Sequence, residues 1–272
     1  MKIGVFDSGL GGLFVLRSIR KVLPKYDYVY LGDTKRVPYG GRSQETIYDF
    51  TRQAVEYLFR RGCSLVILAC NTASARALRR LQHEYLPHHY PQRRILGVII
   101  PTVEAALEQS PNTIAILATQ STVESRTYTR EIKKRNRKTK VFQQAAPLLV
   151  PLVEYDGLPF VTPILKQYIH SLTRQHPDTI LLGCTHYGIL RSKVKNMVPK
   201  KTRVLVQDDI VPMKLKNYLK RHTEIESKLT QQGNLKLFVT DITPHVRHTA
   251  RKWFGKHIPL KIAKFVGGKS QS

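Results

Sequence analysis

Short apolar runs alternate with amphipathic stretches along most of the chain, and this alternation restricts the fold more than any other feature. "KIGVF" reads as a strand, "DSGLGG" as a turn, and "LFVLRSIRKVL" has apolar residues at helical spacing. "YDYVYLGD" is a second strand, closed by the Pro/Gly loop "VPYGGRS". Ser43 and Thr46 open the helical stretch "SQETIYDFTRQAVEYLFRRG", which Gly62 ends. "SLVILAC" reads as a strand, "TASARALRRLQHEYL" as a helix and "ILGVII" as a fourth strand. Parallel neighbours need a crossover, so strands alternating with helices imply a parallel sheet covered by helices on both faces.

The pattern then restarts. "NTIAILAT", "KVFQQAA", "DTILLGC" and "RVLVQD" read as strands, with "STVESRTYTREIKKRN" and "PFVTPILKQYIHSL" as helices among them. "IVPMKLKNYLKRH" is a further helix, followed by the strand "LKLFVTDI" and the helix "PHVRHTARKWFG". Two similar α/β halves are expected, packed closely because no low-complexity linker separates them. The tail is expected to return to the first half. Residues 1–97 with 208–272 then form one domain, and 98–207 the other.

Composition removes several classes of function. No apolar run reaches the ~18–20 residues of a membrane span. The apolar run before Asp7 is too short for a secretory h-region of about 7–15 residues, so the chain reads as cytoplasmic. Its three cysteines are an odd number without a CxxC pair, which gives no disulfide framework. The histidines show no metal-ligand spacing, and His88-His89 in a Pro-flanked stretch is a weak candidate. Lys and Arg number 45 against 19 Asp and Glu, a formal net charge of +26. The charge is dispersed, with dense stretches at 130–140 and 199–203. A solvated basic surface explains it. Such a surface attracts nucleic-acid phosphates nonspecifically or steers an anionic small substrate inward, but no zinc finger or RNP-type motif accompanies it.

In open parallel sheets, ligands bind beyond the carboxyl ends of the strands. The chemically distinctive residues fall there: Asp7-Ser8, Asp33, Tyr39-Gly40, Cys70-Asn71-Thr72, Thr119 and Cys184-Thr185-His186. "DSGLGG" matches neither GxGxxG nor GxxxxGK[ST], so it is no nucleotide fingerprint. A lone cysteine after an apolar strand is most often a core filler. Here two of three occupy equivalent places, in "LVILACNTAS" and "TILLGCTHYG". A helix N-terminus beside either thiol would favour thiolate. A hydrolase needs one nucleophile and a base, which leaves the second cysteine surplus. Two thiols facing one carbon can act as acid and base and exchange roles, as inversion of an α-carbon requires.

On these residues the chain resembles glutamate racemases of the aspartate/glutamate racemase superfamily. The matching stretches are "FDSGLGG", "YLGDTKRVPYG", "ILACNTASA", "GVIIPTVEAA", "ILATQSTVES", "APLLVPLVE" and "LLGCTHYG", in family order over most of residues 1–190. The resemblance implies two pseudo-symmetric, flavodoxin-like open parallel-sheet domains with the active site between them. It implies cofactor-independent, metal-free interconversion of L- and D-glutamate, supplying D-glutamate for peptidoglycan. Cys70 and Cys184 would be the acid/base thiols, tuned by Asp7 and His186, with Asp33 and Glu154 behind them. Asp7, Ser8, Tyr39, Gly40, Asn71, Thr72, Thr119, Thr185 and His186 would bind substrate. The expected partner is that small molecule. A homodimer and weak nonspecific nucleic-acid binding stay open, and no membrane is involved. Aspartate or another acidic amino acid is the alternative substrate, and a basic nucleic-acid-binding protein on a racemase-like fold the alternative class. The chain departs from the pattern at Gly188, where the family has Pro, and at Gln207-Asp208-Asp209, where an Asp-Ser-Ala-like segment is common. Gly188 is expected to loosen the turn that holds Thr185 and His186.

Overall fold

The apolar runs pair into two parallel sheets in the computed structural model, which describes residues 1–255 and 259–265. In the first half the strands are β1 (Lys2–Asp7), β2 (Tyr28–Gly32), β3 (Cys63–Leu68) and β4 (Arg94–Gly97). The second half contributes β5 (Thr113–Ala118), β6 (Lys140–Ala145), β7 (Thr179–Gly183) and β8 (Arg203–Leu205). The tail adds β9 (Leu235–Val239) and β10 (Leu260–Ile262). The six-stranded sheet has the order β10-β9-β2-β1-β3-β4, and the four-stranded sheet β6-β5-β7-β8. The inner order β2-β1-β3-β4 is therefore repeated as β6-β5-β7-β8, which is the pseudo-symmetry expected of two doubly wound units. The chain leaves the six-stranded sheet after β4, builds the other, and re-enters through the helix Gln207–Arg221.

Local chemistry explains the elements. Ser43 caps the helix Gln44–Arg60, its hydroxyl accepting from the Thr46 N–H at 3.2 Å, while Glu45 and Arg60 sit at the helix ends that suit their charges. Thr243 caps Pro244–Phe254 in the same way, with Pro244 in the first turn where no N–H is needed. One contiguous apolar cluster runs from Leu13, Leu16 and Ile19 through Val211 and Leu215 to Leu117 and Leu165, so the two units share a core. No helix among the described residues is long and apolar enough to cross a membrane.

Several expectations are corrected. "ILGVII" is a strand only to Gly97, and Ile99 begins the helix Ile99–Leu107. "RVLVQD" is a strand only to Leu205, and Gln207 opens the next helix. A short apolar run looks alike in either state, and period cannot separate them. The helix expected at 121–136 is two, Gln120–Glu124 and Thr127–Arg135, separated by Arg126 in a left-handed conformation at φ 52°. The helix expected at 72–86 is interrupted, with a π-helical segment Leu81–Tyr85 just ahead of Pro87, which lacks a backbone donor. Helix Leu149–Glu154 and strand β10 have no counterpart in the sequence reading.

Candidate active site

Parallel register carries the strand ends of each sheet to one edge. Asp7 pairs with Gly32 in the first, and Ala118 with Gly183 in the second. Residues from both edges line a single cavity of about 380 Å³. Cys70 enters it from beyond β3 and Cys184 from the residue after β7, each nearly buried. Cys70 caps the helix Asn71–Arg76, its sulfur accepting from the Ala73 N–H at 3.5 Å and lying 3.3 Å from Ser8 Oγ. Cys184 precedes the 3-10 helix Thr185–Leu190, with its sulfur 3.7 Å from His186 Nδ1.

Each thiol has a charged group nearby. Asp7 is fully buried at the end of β1, where its carboxylate accepts from the Gly9 N–H at 3.0 Å and from Thr185 Oγ1 at 3.3 Å. His186 Nε2 lies 2.8 Å from Glu154 Oε1, and the Trp253 ring stands edge-on to the imidazole at 5.7 Å. These contacts need close approach of the two units. A Cβ on Gly11 would fall 2.4 Å from Thr185 Oγ1, so only glycine fits in "DSGLGG" at that point. Gly188 lies within the 3-10 helix Thr185–Leu190, in which Thr185 is tied to Asp7 and His186 to Glu154.

The remaining wall is polar and spans both units. The hydroxyls of Thr72, Thr119 and Thr122 lie 2.9–3.3 Å apart in a mutual cluster. Gly40 packs on Thr119, and Tyr39 is fixed by its hydroxyl donating to Asp33 at 2.5 Å. Asp33 also accepts from Arg36 Nε at 2.6 Å and Thr240 Oγ1 at 2.8 Å. Behind Asn71, Gln207 Nε2 donates to Asn71 Oδ1 at 2.7 Å and to Tyr128 Oη at 3.0 Å. Tyr128 donates to the same Oδ1 at 2.8 Å, and Asn71 Nδ2 to Gln207 Oε1 at 3.0 Å.

Burial and charge act together on Cys70, Asp7 and His186. Burial pushes the Cys70 thiol up to about 12, and the Asp7 charge adds to this. The Ser8 and Ala73 hydrogen bonds oppose it, but the expected helix-end activation is outweighed. Burial also raises Asp7, against the pull of His186 and the Gly9 and Gly12 N–H groups. For His186, burial works against the charged ring, yet Cys184 and Glu154 overcome it and hold the imidazole well above its usual range. These surroundings favour the proton on the imidazole beside Cys184 and on the Cys70 sulfur.

Of the residues anticipated from sequence, Ser8, Tyr39, Gly40, Cys70, Asn71, Thr72, Thr119, Glu154, Cys184, Thr185 and His186 all line the cavity. Asp7 lies beneath it, hydrogen-bonded to Thr185, and Asp33 stands behind Tyr39. Gln207 enters the sequence reading only as part of a departure from the family pattern, and Tyr128 and Trp253 escape it. So does the apolar rim of Pro147, Val150 and Pro151. Gln207 carried a usable signal, since it is a polar residue just past a strand. No cluster of three or more His, Cys, Asp or Glu suited to a metal ion occurs among the described residues, and His89 stacks on Tyr85 at 4.3 Å.

The Asp/Glu/hydantoin racemase family pattern matches residues 3–207. The glutamate racemase of Ruegeria pomeroyi is 40% identical over 235 residues, 82% of this chain and 86% of its own. A glutamate racemase isoform from Bacillus anthracis superposes with a TM-score of 0.88 at 32% identity, covering 97% of both chains. The glutamate racemase of Francisella tularensis, solved in complex with D-glutamate, has a TM-score of 0.86 at 27% identity, covering 97% of this chain and 98% of its own.

Proposed function

The chain belongs to the Asp/Glu/hydantoin racemase family and is an amino-acid racemase, and from that premise we propose that it interconverts L- and D-glutamate without a cofactor, supplying D-glutamate for peptidoglycan. The observation that carries this reading is the placing of two thiols, one from each sheet, on one cavity walled by hydroxyl and amide groups. In the proposed reaction one sulfur, as thiolate, takes the α-proton and becomes a thiol. The other thiol gives its proton to the opposite face of the carbanionic carbon and becomes the thiolate. Proton count and charge are unchanged, and the reverse reaction exchanges the roles.

The neighbours divide the labour. His186, held by Glu154, adjoins Cys184, and Asp7 acts on Cys70. The substrate ammonium brings positive charge into the cavity and so makes thiolate less costly there. Thr72, Thr119, Asn71, Ser8 and Thr185 offer donors for two carboxylates, and the burial of Asn71, Thr72 and Thr185 strengthens such bonds. The reading assigns 1–97 with 208–272 to the domain of Cys70, and 98–207 to that of Cys184.

Racemisation in heavy water, with glutamate and aspartate run side by side, tests the proposal. Early product should carry deuterium at the α-carbon while unreacted substrate keeps protium, because the incoming proton comes from a thiol equilibrated with solvent. Cys70→Ser and Cys184→Ser should each lose nearly all turnover, and Cys63→Ser little. Early product that retains the substrate's own proton, or full activity without Cys184, would end the two-thiol assignment. Turnover of aspartate in preference to glutamate would end the substrate assignment.

A further inference from the structure

Asn71 follows Cys70 in the chain and lines the cavity. Nothing in the proton-transfer scheme says what holds its amide in place. The hold comes from Gln207 and Tyr128. Asn71 and Gln207 form a two-point amide pair, each giving one N–H and receiving one, at 2.7 and 3.0 Å. Tyr128 closes the ring by donating to Asn71 Oδ1 and accepting from Gln207. Both lone pairs of Oδ1 are thereby used, and one Nδ2 hydrogen remains for a ligand. All three residues are at most 2% exposed, so solvent cannot replace a lost partner.

The three side chains come from three parts of the fold. Asn71 belongs to the first unit, Tyr128 to the helix Thr127–Arg135 of the second, and Gln207 to the first turn of the helix by which the chain returns. Building on the racemase reading above, we infer that Gln207 is a positioning residue for the reaction. Its amide fixes Asn71 beside Cys70 and so sets how tightly the cavity binds an acidic amino acid. Gln207 does not itself line the cavity. The chemistry demands an amide here. A two-point pair with Asn71 needs one donor and one acceptor in either orientation of the two groups. A carboxylate offers two acceptors and always leaves one oxygen facing another. A protonated acid, with one donor and one acceptor, matches again.

Gln207→Glu and Gln207→Leu test this through KM and kcat measured across pH. The ionisable groups around position 207 include Tyr128, which it contacts, Asp208 and Asp209 in the same helical turn, and Arg17 and Arg191, which act on Asp208. Their titration is common to wild type and variants, so the quantity read is the ratio of variant to wild-type KM. For Gln207→Glu the ratio should rise with pH, reaching about tenfold once the new acid ionises and returning toward one as it takes up a proton. For Gln207→Leu it should be raised at every pH. The leucine variant is judged only if its thermal unfolding shows a folded protein, and the isosteric glutamate variant carries the test otherwise. A KM ratio for Gln207→Glu that is flat with pH overturns the role, as does a loss of kcat that merely follows lost stability at unchanged KM. The ratio is read on whichever acidic amino acid the wild-type protein racemises. Failure of wild type to racemise glutamate overturns the proposed function, whereas a flat ratio on an active enzyme overturns only the role of Gln207.

Discussion

A thiol that caps a helix is commonly activated, yet at Cys70 burial and the Asp7 charge work the other way. With its pKa pushed up to about 12, it should alkylate slowly with iodoacetamide at pH 7 in the ligand-free protein, and faster as the pH climbs toward that value. Peptide mapping of the time course checks this, and prompt modification of Cys70 at neutral pH contradicts it. Sequence found this residue because the thiol follows an apolar strand, and the same rule found Asp7, Thr119 and Cys184. It could not find that Asp7 opposes thiolate at Cys70, since that depends on two strand ends lying side by side. Tyr128 was hidden differently. It sits at an apolar helical position and looks like any core tyrosine until its hydroxyl meets Asn71. Gln207 is hidden because "RVLVQD" looks like one strand through Asp208, although the strand ends at Leu205.

Elements meet in ways that no single segment records. The 3-10 helix Thr185–Leu190 packs against the first turn of Gln207–Arg221 with almost no clearance: a Cβ on Gly188 would stand 2.8 Å from Asp208 Oδ2. The two departures from the family pattern are thus neighbours, and glycine at 188 leaves room for the carboxyl at 208. Burial, with the adjacent Asp209, raises Asp208 to about 6 against the pull of Arg17 and Arg191. An acid whose folded pKa lies above its unfolded value of 3.8 costs stability where it is ionised in the folded state. The cost is full above about pH 6, shrinks as pH falls, and is absent below the unfolded value. Asp208→Asn should therefore stabilise the protein by about 1 kcal/mol at pH 7 and by nothing near pH 3.5. Urea unfolding at a series of pH values measures this, and a gain that grows on acidification contradicts it. At this scale the long amphipathic helices were legible from their period. The run "ILGVII" was not, because a buried strand end and a buried helix start share one composition.

Across the whole molecule, the repeated strand order was visible in outline because each half carries its own strand–cysteine segment. What sequence could not supply was the meeting of both strand-end edges on one cavity, which rests on contacts such as Gly11 against Thr185. The net charge of +26 belongs to this scale too. Lys and Arg are spread over both units, so binding to DNA-cellulose should be weak, indifferent to base sequence and lost steeply as salt rises. Tight, sequence-selective retention at physiological salt would contradict that. The order in which the chain is made gives the fold a further property. Tyr28 in β2 pairs with Leu235 in β9, and everything that builds the second sheet is synthesised between them. While the ribosome is still delivering that stretch, β2 presents an open edge of Tyr28, Val29, Tyr30 and Leu31, residues that the finished protein buries. Such an edge recruits strands from other chains. A message or a protease that stops the polypeptide short of Leu235 therefore yields a sticky, aggregating fragment and not a smaller enzyme, even though every proposed catalytic side chain is already in it.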